Sequence, residues 1–393
     1  MGRRDFSAAH AVLQRHHDER RLSGVSTVAV QGGVVVDDFC IGAADMESGE
    51  ALRPDHIHRA FSNTKLITAV MTLMLVDEGR MALDDPVKRW IPGFGSTRVL
   101  RPGATSLDDT VPLARDITVR HLLTHTAGLS HGVFDPGTMI FDAYAASGVR
   151  RPDCSTTMIA ERLPALPLLF QPGEGWEYSM APDVLARLVE IVTGQRYVEA
   201  LEQRLFGPLG MVDTGYVLRP EQVPRLAALY GGNLADPNEP GLRRFDDLPW
   251  PGAFLTPVAR QAGASGLFTT RADMLALLSR LLPGRGGPLR DATLAEMQRD
   301  QLPPHLCVQF LVGGPIPSLG FGLAGAVTRR PSPLQPNTPV GEMQWGGLAG
   351  THWALSPSTS QVLVLMTQRY MGFWNPFWFE WKAAAYAAMA EPR

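Results

Sequence analysis

The chain has 393 residues, a net charge of −3 and 45% hydrophobic residues, so it can bury a large core and form about two or three domains. Near-neutral charge disfavours nucleic-acid binding, which generally needs a basic surface. The longest apolar run, residues 66–76, is too short to cross a bilayer, and the N-terminal segment lacks the apolar stretch of a secretory signal. We therefore expect a cytoplasmic protein with no membrane span and no nucleic-acid partner, and the sequence leaves its oligomeric state open.

Strand patterns occur near both ends of the chain, and the segment between them is mostly helical. A helix is expected over residues 6–21, and Gly32-Gly33 joins the next two strands as a hairpin. The predicted strands cover residues 25–31, 34–41, 321–328, 351–355 and 361–368. The other predicted helices cover residues 62–78, 119–124, 156–163, 182–193, 197–205, 271–282 and 378–390.

Strands at both ends most simply pair into one antiparallel sheet, with the helical middle inserted beside it. The expected fold class is thus α+β: an antiparallel sheet built from both chain ends, flanked by helices, with an inserted mostly helical domain. We expect residues 1–75 and 255–393 to form the discontinuous α/β domain and residues 76–254 the helical one, with an active site at their interface.

The pair Ser62 and Lys65 fits the pattern S-x-x-K, which places a hydroxyl and an amine on one face of a helix. A serine nucleophile needs a base, and a lysine serves when burial and the positive end of the helix dipole lower its pKa. The chain otherwise uses arginine for positive charge, and arginine cannot act as a base. The alternative is a lysine that merely extends to solvent from the first helical turn.

Two further segments could complete this site. Tyr178 lies just before the helix opened by Pro182, where it could shuttle protons beside the lysine, although the tyrosine taken alone is more typical of a core or rim residue. The segment 344–348 has two glycines before a strand, so its backbone could approach a substrate and serve an oxyanion hole, or simply turn into the strand.

These residues resemble the serine β-lactamase-like superfamily, with the class C β-lactamase fold, and most of all the family VIII carboxylesterases. The resemblance implies Ser62 as nucleophile, Lys65 as base partner and Tyr178 as second acid/base, with backbone N–H groups of Ser62 and Leu348 as the oxyanion hole. It also implies no metal or organic cofactor. The segments that carry the resemblance, in order, are residues 61–65, 84–92, 121–129, 170–179, 208–211 and 264–267.

Two departures from the superfamily pattern favour esters over lactams. Met180 stands where lactamases carry an asparagine, and Trp345-Gly346-Gly347 replaces a Lys-Thr-Gly or His-Thr-Gly motif that grips a carboxylate. With Trp176, these residues are the expected substrate-binding set. The expected function is a serine hydrolase that cleaves small-molecule carboxylic esters through an acyl-serine. The alternatives are a β-lactamase, a D-amino-acid peptidase or other amide hydrolase, an acyltransferase, and, less favoured, a non-catalytic binding protein.

Other motifs are expected to be structural. Ser130 fits G-x-S-x-G but lacks the preceding strand that a nucleophile elbow needs. His121 and His125 have zinc-helix spacing without the glutamate, and His56 and His58 lack a third ligand. The aromatic run 373–381 is expected to pack in the core, with an acyl pocket, a membrane-surface contact or a dimer patch as alternatives.

Overall fold

A computed structural model describes residues 4–233, 236, 238–310 and 313–390. The strands are β1 (Gly24–Gln31), β2 (Val34–Asp45), β3 (Glu50–Ala51), β4 (Ile57–Arg59), β5 (Arg98–Leu100), β6 (Thr110–Pro112), β7 (Tyr230–Gly231), β8 (Arg243–Arg244), β9 (Phe268–Thr270), β10 (Val308–Phe310), β11 (Gly314–Ile316), β12 (Leu319–Phe321), β13 (Ala326–Thr328), β14 (Met343–Gly346), β15 (His352–Ser356) and β16 (Gln361–Thr367). The helices are α1 (Ser7–Asp18), α2 (Thr64–Asp77), α3 (Val119–Leu123), α4 (Met139–Ser147), α5 (Thr156–Arg162), α6 (Ala181–Thr193), α7 (Tyr197–Leu201), α8 (Gly207–Leu209), α9 (Arg271–Arg280), α10 (Asp291–Gln298) and α11 (Pro376–Ala390).

The main sheet is antiparallel and joins the two ends of the chain, as the sequence predicted. Its strand order is β12-β13-β14-β15-β16-β1-β2-β3, and the ends meet where Val25 of β1 pairs with Thr367 of β16. The hairpin predicted at Gly32-Gly33 is confirmed, because β1 and β2 pair on either side of it. The α+β fold class is therefore confirmed.

Both faces of the central strands are covered, which explains why their sequences are almost continuously apolar. Side chains alternate between the faces of a strand. Val25 and Leu365 belong to an apolar cluster with Trp381 of α11, whereas Val28 and Val364 belong to the larger cluster on the other face. The central sheet therefore lies between two helical layers.

The prediction of one strand over residues 321–328 is wrong, because the chain turns back within it. Strands β12 and β13 pair with each other, and the Gly322 amide donates to the Gly325 carbonyl at 2.8 Å. A Cβ on Gly322 would lie 2.4 Å from the Met297 carbonyl oxygen, so only glycine fits there. The pattern of apolar residues continued across a turn that these glycines make.

The helical middle packs onto α2 from the side away from α11. One continuous apolar cluster contains Val364 of the sheet, Leu73 of α2 and Leu188 of α6. The division into residues 1–75 with 255–393 and residues 76–254 stays a prediction, since this cluster crosses both boundaries. Helix α2 begins at Thr64 rather than Ser62, because a short 3₁₀ turn, Phe61–Asn63, precedes it.

Candidate active site

The predicted nucleophile and base lie one turn apart at the start of α2. The Lys65 Nζ atom lies 3.2 Å from the Ser62 Oγ atom, and it donates a second hydrogen bond to the Ala264 carbonyl oxygen at 2.8 Å. The carbonyl of Ala264 fixes the direction of the amine, and the serine hydroxyl occupies another of its bonding positions. This arrangement allows a proton to pass directly between Ser62 and Lys65.

The backbone immediately before Ser62 is strained. Phe61 has a φ of 44°, although it is a bulky residue with a side chain that disfavours this region. Strain of this kind costs on the order of 1–3 kcal/mol and collects at functional sites. It fixes the direction in which the chain enters the 3₁₀ turn and so presents the Ser62 side chain to the cavity described below.

Burial lowers the pKa of Lys65 to about 7. The ammonium loses hydration inside the protein, and the Arg260 cation adds repulsion, while the Asp183 carboxylate acts in the opposite direction. Near neutral pH a large fraction of Lys65 is therefore a neutral amine, which is the form that can accept a proton. Sequence reasoning did not single out Asp183 or Arg260: an acid in the first turn of a helix and a loop arginine are both ordinary features.

Tyr178 completes the predicted triad on the other side of the amine. The Lys65 Nζ atom lies 4.4 Å from the centre of the Tyr178 ring, and the Trp345 Nε1 atom donates to the Tyr178 hydroxyl at 3.3 Å. Burial raises the pKa of Tyr178 above its ordinary value, although hydrogen bonds with Ser62 and Trp345 oppose this. Tyr178 is thus a neutral phenol at rest and can donate a proton.

A narrow cavity with a volume of about 20 Å³ opens above Ser62. Gly346 and Leu348 form one side of it, and they lie at the end of β14 and just beyond it. The rest of its wall is aromatic: Phe134, Tyr178, Phe310, Trp345, Phe373 and Trp374. No charged side chain is among the described residues that line it, so the cavity suits a neutral group.

The glycine at position 347 brings β14 close to the chain that leads into Ser62. Its amide donates to the Thr351 carbonyl at 2.7 Å, and a Cβ at this position would lie 2.3 Å from the Ala60 carbonyl oxygen. Any larger residue would push the two segments apart. Gly347 therefore sets the distance between Leu348 and Ser62, the two residues predicted to supply the oxyanion hole.

Two residues of the predicted substrate-binding set lie behind the cavity wall. Trp176 and Met180 have no exposed surface, and neither lines the cavity. Trp176 stacks on Tyr178 with 6.4 Å between ring centres, and the Met180 amide donates to the Ser130 carbonyl at 3.1 Å. Trp176 therefore supports Tyr178, and we leave both residues out of those proposed to touch substrate.

The motifs expected to be structural make local contacts. The Ser130 Oγ atom bonds to Asp135 Oδ2 at 3.2 Å and accepts from the Gly132 amide at 3.0 Å, so it braces a turn. The His121 Nδ1 atom accepts from the Thr118 amide at 3.2 Å, which caps α3. Within the described ranges, no group of three or more His, Cys, Asp or Glu side chains could hold a metal ion, and no helix is long and apolar enough to span a membrane.

His125 belongs to the surroundings of the site, and sequence reasoning missed this. Its ring lies 5.1 Å from the Tyr178 ring, and its Nδ1 atom bonds to the Ser179 hydroxyl at 2.9 Å. The ring of His131 stacks on Tyr178 from 5.6 Å away. Burial, and then the Lys65 cation, lower the pKa of both histidines well below the ordinary value, so both are neutral rings that position Tyr178.

The aromatic run 373–381 divides between two roles. Phe373 and Trp374 line the cavity, whereas Trp378 and Trp381 pack into the apolar cluster with α1. Phe310 packs edge-to-face on Trp374, with 4.4 Å between the ring centres, and it carried no sequence signal. The aromatic wall comes from segments far apart in the chain, so only the folded structure reveals it.

Comparisons with known proteins identify the family and its fold. A family model described as Beta-lactamase matches residues 9–373. Esterase EstB of Burkholderia gladioli is 33% identical, over 96% of this chain and 94% of that protein, and the lovastatin esterase of Penicillium rubens is 30% identical over 79% and 80%. Among solved structures, EstCE1, described as a hydrolase with promiscuous acyltransferase activity, superposes with a TM-score of 0.82 at 26% identity, covering 97% of this chain and 98% of that one.

Proposed function

The chain belongs to the beta-lactamase family, a family of serine hydrolases, and from this premise we propose that it is a carboxylesterase that works through an acyl-serine intermediate. The observation that carries the proposal is the contact of 3.2 Å between Ser62 Oγ and a buried lysine whose pKa is lowered to about 7. The likeness to two esterases, EstB and the lovastatin esterase, supports an ester rather than another acyl compound. Among named groups, the family VIII carboxylesterases are the ones we propose it resembles most.

In the proposed acylation step, neutral Lys65 accepts the hydroxyl proton while Ser62 Oγ attacks the ester carbonyl carbon. The C–O bond to the alcohol then breaks, and the leaving oxygen takes a proton from Tyr178, which Lys65 replaces. Tyr178 suits this role because it is neutral at rest and its ring lies 4.4 Å from the amine. Water then attacks the acyl-serine, and the same two side chains return the proton to Ser62.

We propose that the backbone N–H groups of Ser62 and Leu348 hold the oxyanion of the tetrahedral intermediate. Ser62 lies in the first turn of a helical segment, where N–H groups lack acceptors within the helix. Leu348 lines the same cavity as Ser62 and lies just beyond the end of β14. Donors of this kind stabilise charge most where water is excluded, and the aromatic wall provides that environment.

The proposed substrates are neutral small-molecule esters rather than anionic lactams. A carboxylate brought into the cavity would lose its hydration, and no described side chain lining the cavity offers it a positive charge. Trp345 and Gly346 stand at the positions where the lactamases that the sequence resembles carry a cation and a hydroxyl. Acyl transfer to an alcohol is the second candidate function, because an apolar wall holds an alcohol at least as well as water and EstCE1 is described as having such an activity.

Labelling with an activated phosphonate tests the proposal. We expect one phosphonate to attach to the intact protein and peptide mapping to locate it on Ser62. The Ser62→Ala variant should take up no label and lose on the order of 10³-fold or more in kcat, whereas Ser130→Ala should stay within about tenfold. Label on Ser130 would refute the assignment, and no label on a folded protein would favour a non-catalytic binding protein.

A further inference from the structure

The cavity above Ser62 is too small to hold a whole ester. Its volume of about 20 Å³ is little more than the 10–15 Å³ or so that one water molecule requires. It can accommodate the reacting carbonyl, but the groups attached on its two sides must extend beyond it. The structure must therefore provide further space next to the site for any substrate larger than a short ester.

A second cavity, with a volume of about 300 Å³, lies directly beside the first; we call it the side cavity. Four aromatic residues line both cavities: Phe310, Trp345, Phe373 and Trp374. This volume lies at the lower end of the range of about 300–1,000 Å³ seen for small-molecule sites. The side cavity can thus hold a bulky group that the first cavity cannot.

The walls of the side cavity suit an uncharged, apolar group. No Asp, Glu, Lys or Arg is among the described residues that line it, and burial lowers the pKa of His352 to about 3, which keeps this ring neutral. The amides of Gln335 and Gln344 bind each other at 2.9 Å, and Lys382 donates to Gln344 Oε1 at 3.0 Å. The two glutamine amides therefore already have partners, whereas the buried His352 Nε2 atom has no hydrogen-bond partner among the described residues.

The position of the proposed proton donor, Tyr178, determines whether the alcohol part or the acyl part of an ester extends toward the side cavity. The leaving oxygen must reach the Tyr178 hydroxyl, which bonds to Trp345 at 3.3 Å. The Tyr178 ring lies 5.3 Å from Trp345 and 5.8 Å from Phe310, and both of these are walls of the side cavity. A group attached to the leaving oxygen therefore lies next to the aromatic residues that line both cavities, and it can extend toward the side cavity.

We propose that the side cavity binds the alcohol part of the substrate and selects esters of bulky, uncharged, apolar alcohols. The proposal rests on the proposed esterase function and adds its substrate class. By microscopic reversibility, an alcohol bound there can also attack the acyl-enzyme. Its oxygen bonds to the acyl carbon, the bond to Ser62 Oγ breaks, and the alcohol proton passes through Tyr178 and Lys65 to Ser62, so the enzyme makes an ester from this alcohol.

Two ester series and a filled cavity test the proposal. The first series keeps acetate and changes the alcohol from ethanol to butanol to naphthylethanol; the second keeps ethanol and changes the acid from acetate to butyrate to naphthylpropanoate. Ser332→Phe and, as a second filling variant, Ser318→Phe place a ring in the side cavity from half-buried positions. Pro333→Phe places the same ring at an exposed neighbour that does not line the cavity, and serves as the matched control.

We expect kcat/KM of the wild type to rise about tenfold or more from ethyl to naphthylethyl acetate. A filling variant should remove that rise and leave ethyl acetate hydrolysis unchanged, while Pro333→Phe should behave as the wild type. An unchanged alcohol preference in both folded filling variants would overturn the proposal. A loss confined to the acid series would overturn it as well, because the side cavity would then hold the acyl part.

A binding measurement separates failure of this proposal from failure of the esterase function. Naphthylethanol should quench tryptophan fluorescence of the Ser62→Ala variant, since Trp345, Trp374 and Trp378 line the side cavity. Adding Ser332→Phe should weaken this binding about tenfold or more. Binding without any Ser62-dependent hydrolysis would overturn the proposed function alone, whereas hydrolysis without binding would overturn the side-cavity proposal alone.

Discussion

Lys65 is the residue on which the proposed chemistry depends most. It is one of the chain's three lysines, with Lys88 and Lys382, and it is buried within hydrogen-bonding distance of the Ser62 hydroxyl. Burial destabilises the charged ammonium form of Lys65, and the pKa of Lys65 is lowered as a result. The same burial that would be unfavourable for stability makes the amine a base near neutral pH.

The pH dependence of the reaction follows from this pKa. Because the neutral amine is the active form, kcat/KM for a neutral ester should rise with pH and level off above about 7. The rise should therefore be complete well below the ordinary lysine value of about 10.4. Rates measured with a neutral ester across this range check the prediction, and a limb that appears only near the ordinary lysine value would contradict it.

Replacing Lys65 with arginine distinguishes the effect of its positive charge from its proposed role as a proton acceptor. The guanidinium keeps the positive charge but cannot lose a proton, so Lys65→Arg should lose on the order of 10³-fold in kcat/KM, nearly as much as Lys65→Ala. Circular dichroism should show that both variants are folded. A folded arginine variant with a substantial share of wild-type activity would assign the base role to Tyr178 instead.

At the scale of elements, the site is a meeting of the start of α2 with the end of β14. Gly347 allows the meeting, because a Cβ there would lie 2.3 Å from the Ala60 carbonyl oxygen. Each element supplies one of the two N–H groups proposed to form the oxyanion hole. A single substitution at Gly347 can therefore change the distance between the start of α2 and the end of β14 without altering a reacting side chain.

Gly347→Ala should move the Leu348 N–H away from Ser62. We expect kcat to fall on the order of 10²-fold or more with little change in KM, since the lost interaction acts mainly in the transition state. Gly95→Ala is the matched control, because its added Cβ would meet only the flexible Lys88 side chain, at 3.3 Å. Equal kinetics of the two folded variants would show that this spacing does not matter.

The sequence predicted the helices and strands better than it predicted the aromatic walls of the cavities. The S-x-x-K spacing placed Ser62 and Lys65 together because one helical turn fixes i and i+3. The terminal strands were predicted to pair because strand patterns occur near both ends of the chain. The turn at Gly322 was missed because the apolar pattern of 321–328 runs on through it. Phe310 was missed because contacts between distant segments leave no local periodicity.

At the scale of the whole molecule, the aromatic wall sets what can enter. Neutral short-chain esters should be much better substrates than penicillins or cephalosporins, because the carboxylate of a lactam would be desolvated without a partner. Parallel rates with a nitrophenyl butyrate and a chromogenic cephalosporin measure this preference. Comparable values of kcat/KM would mean that the anion finds a cation elsewhere.

The two cavities are adjacent parts of one aromatic region, because four aromatic residues line both of them. These residues come from β10, β14 and the segment before α11, so the sheet and the chain end hold the wall together. The proposed reaction and the proposed substrate selection thus depend on one arrangement of rings around Ser62. The proposed role of these rings in ester hydrolysis requires that Ser62 carries the acyl group during turnover.

Trapping the acyl-enzyme is the measurement that tests this most directly. The protein is mixed with nitrophenyl acetate, quenched with acid during turnover, and analysed by intact mass and peptide mapping. We expect a fraction of the protein to carry one acetyl group on Ser62, and the Lys65→Ala and Ser62→Ala variants to carry none. An acetyl group on another residue, or rapid hydrolysis by a Ser62→Ala variant, would contradict the account.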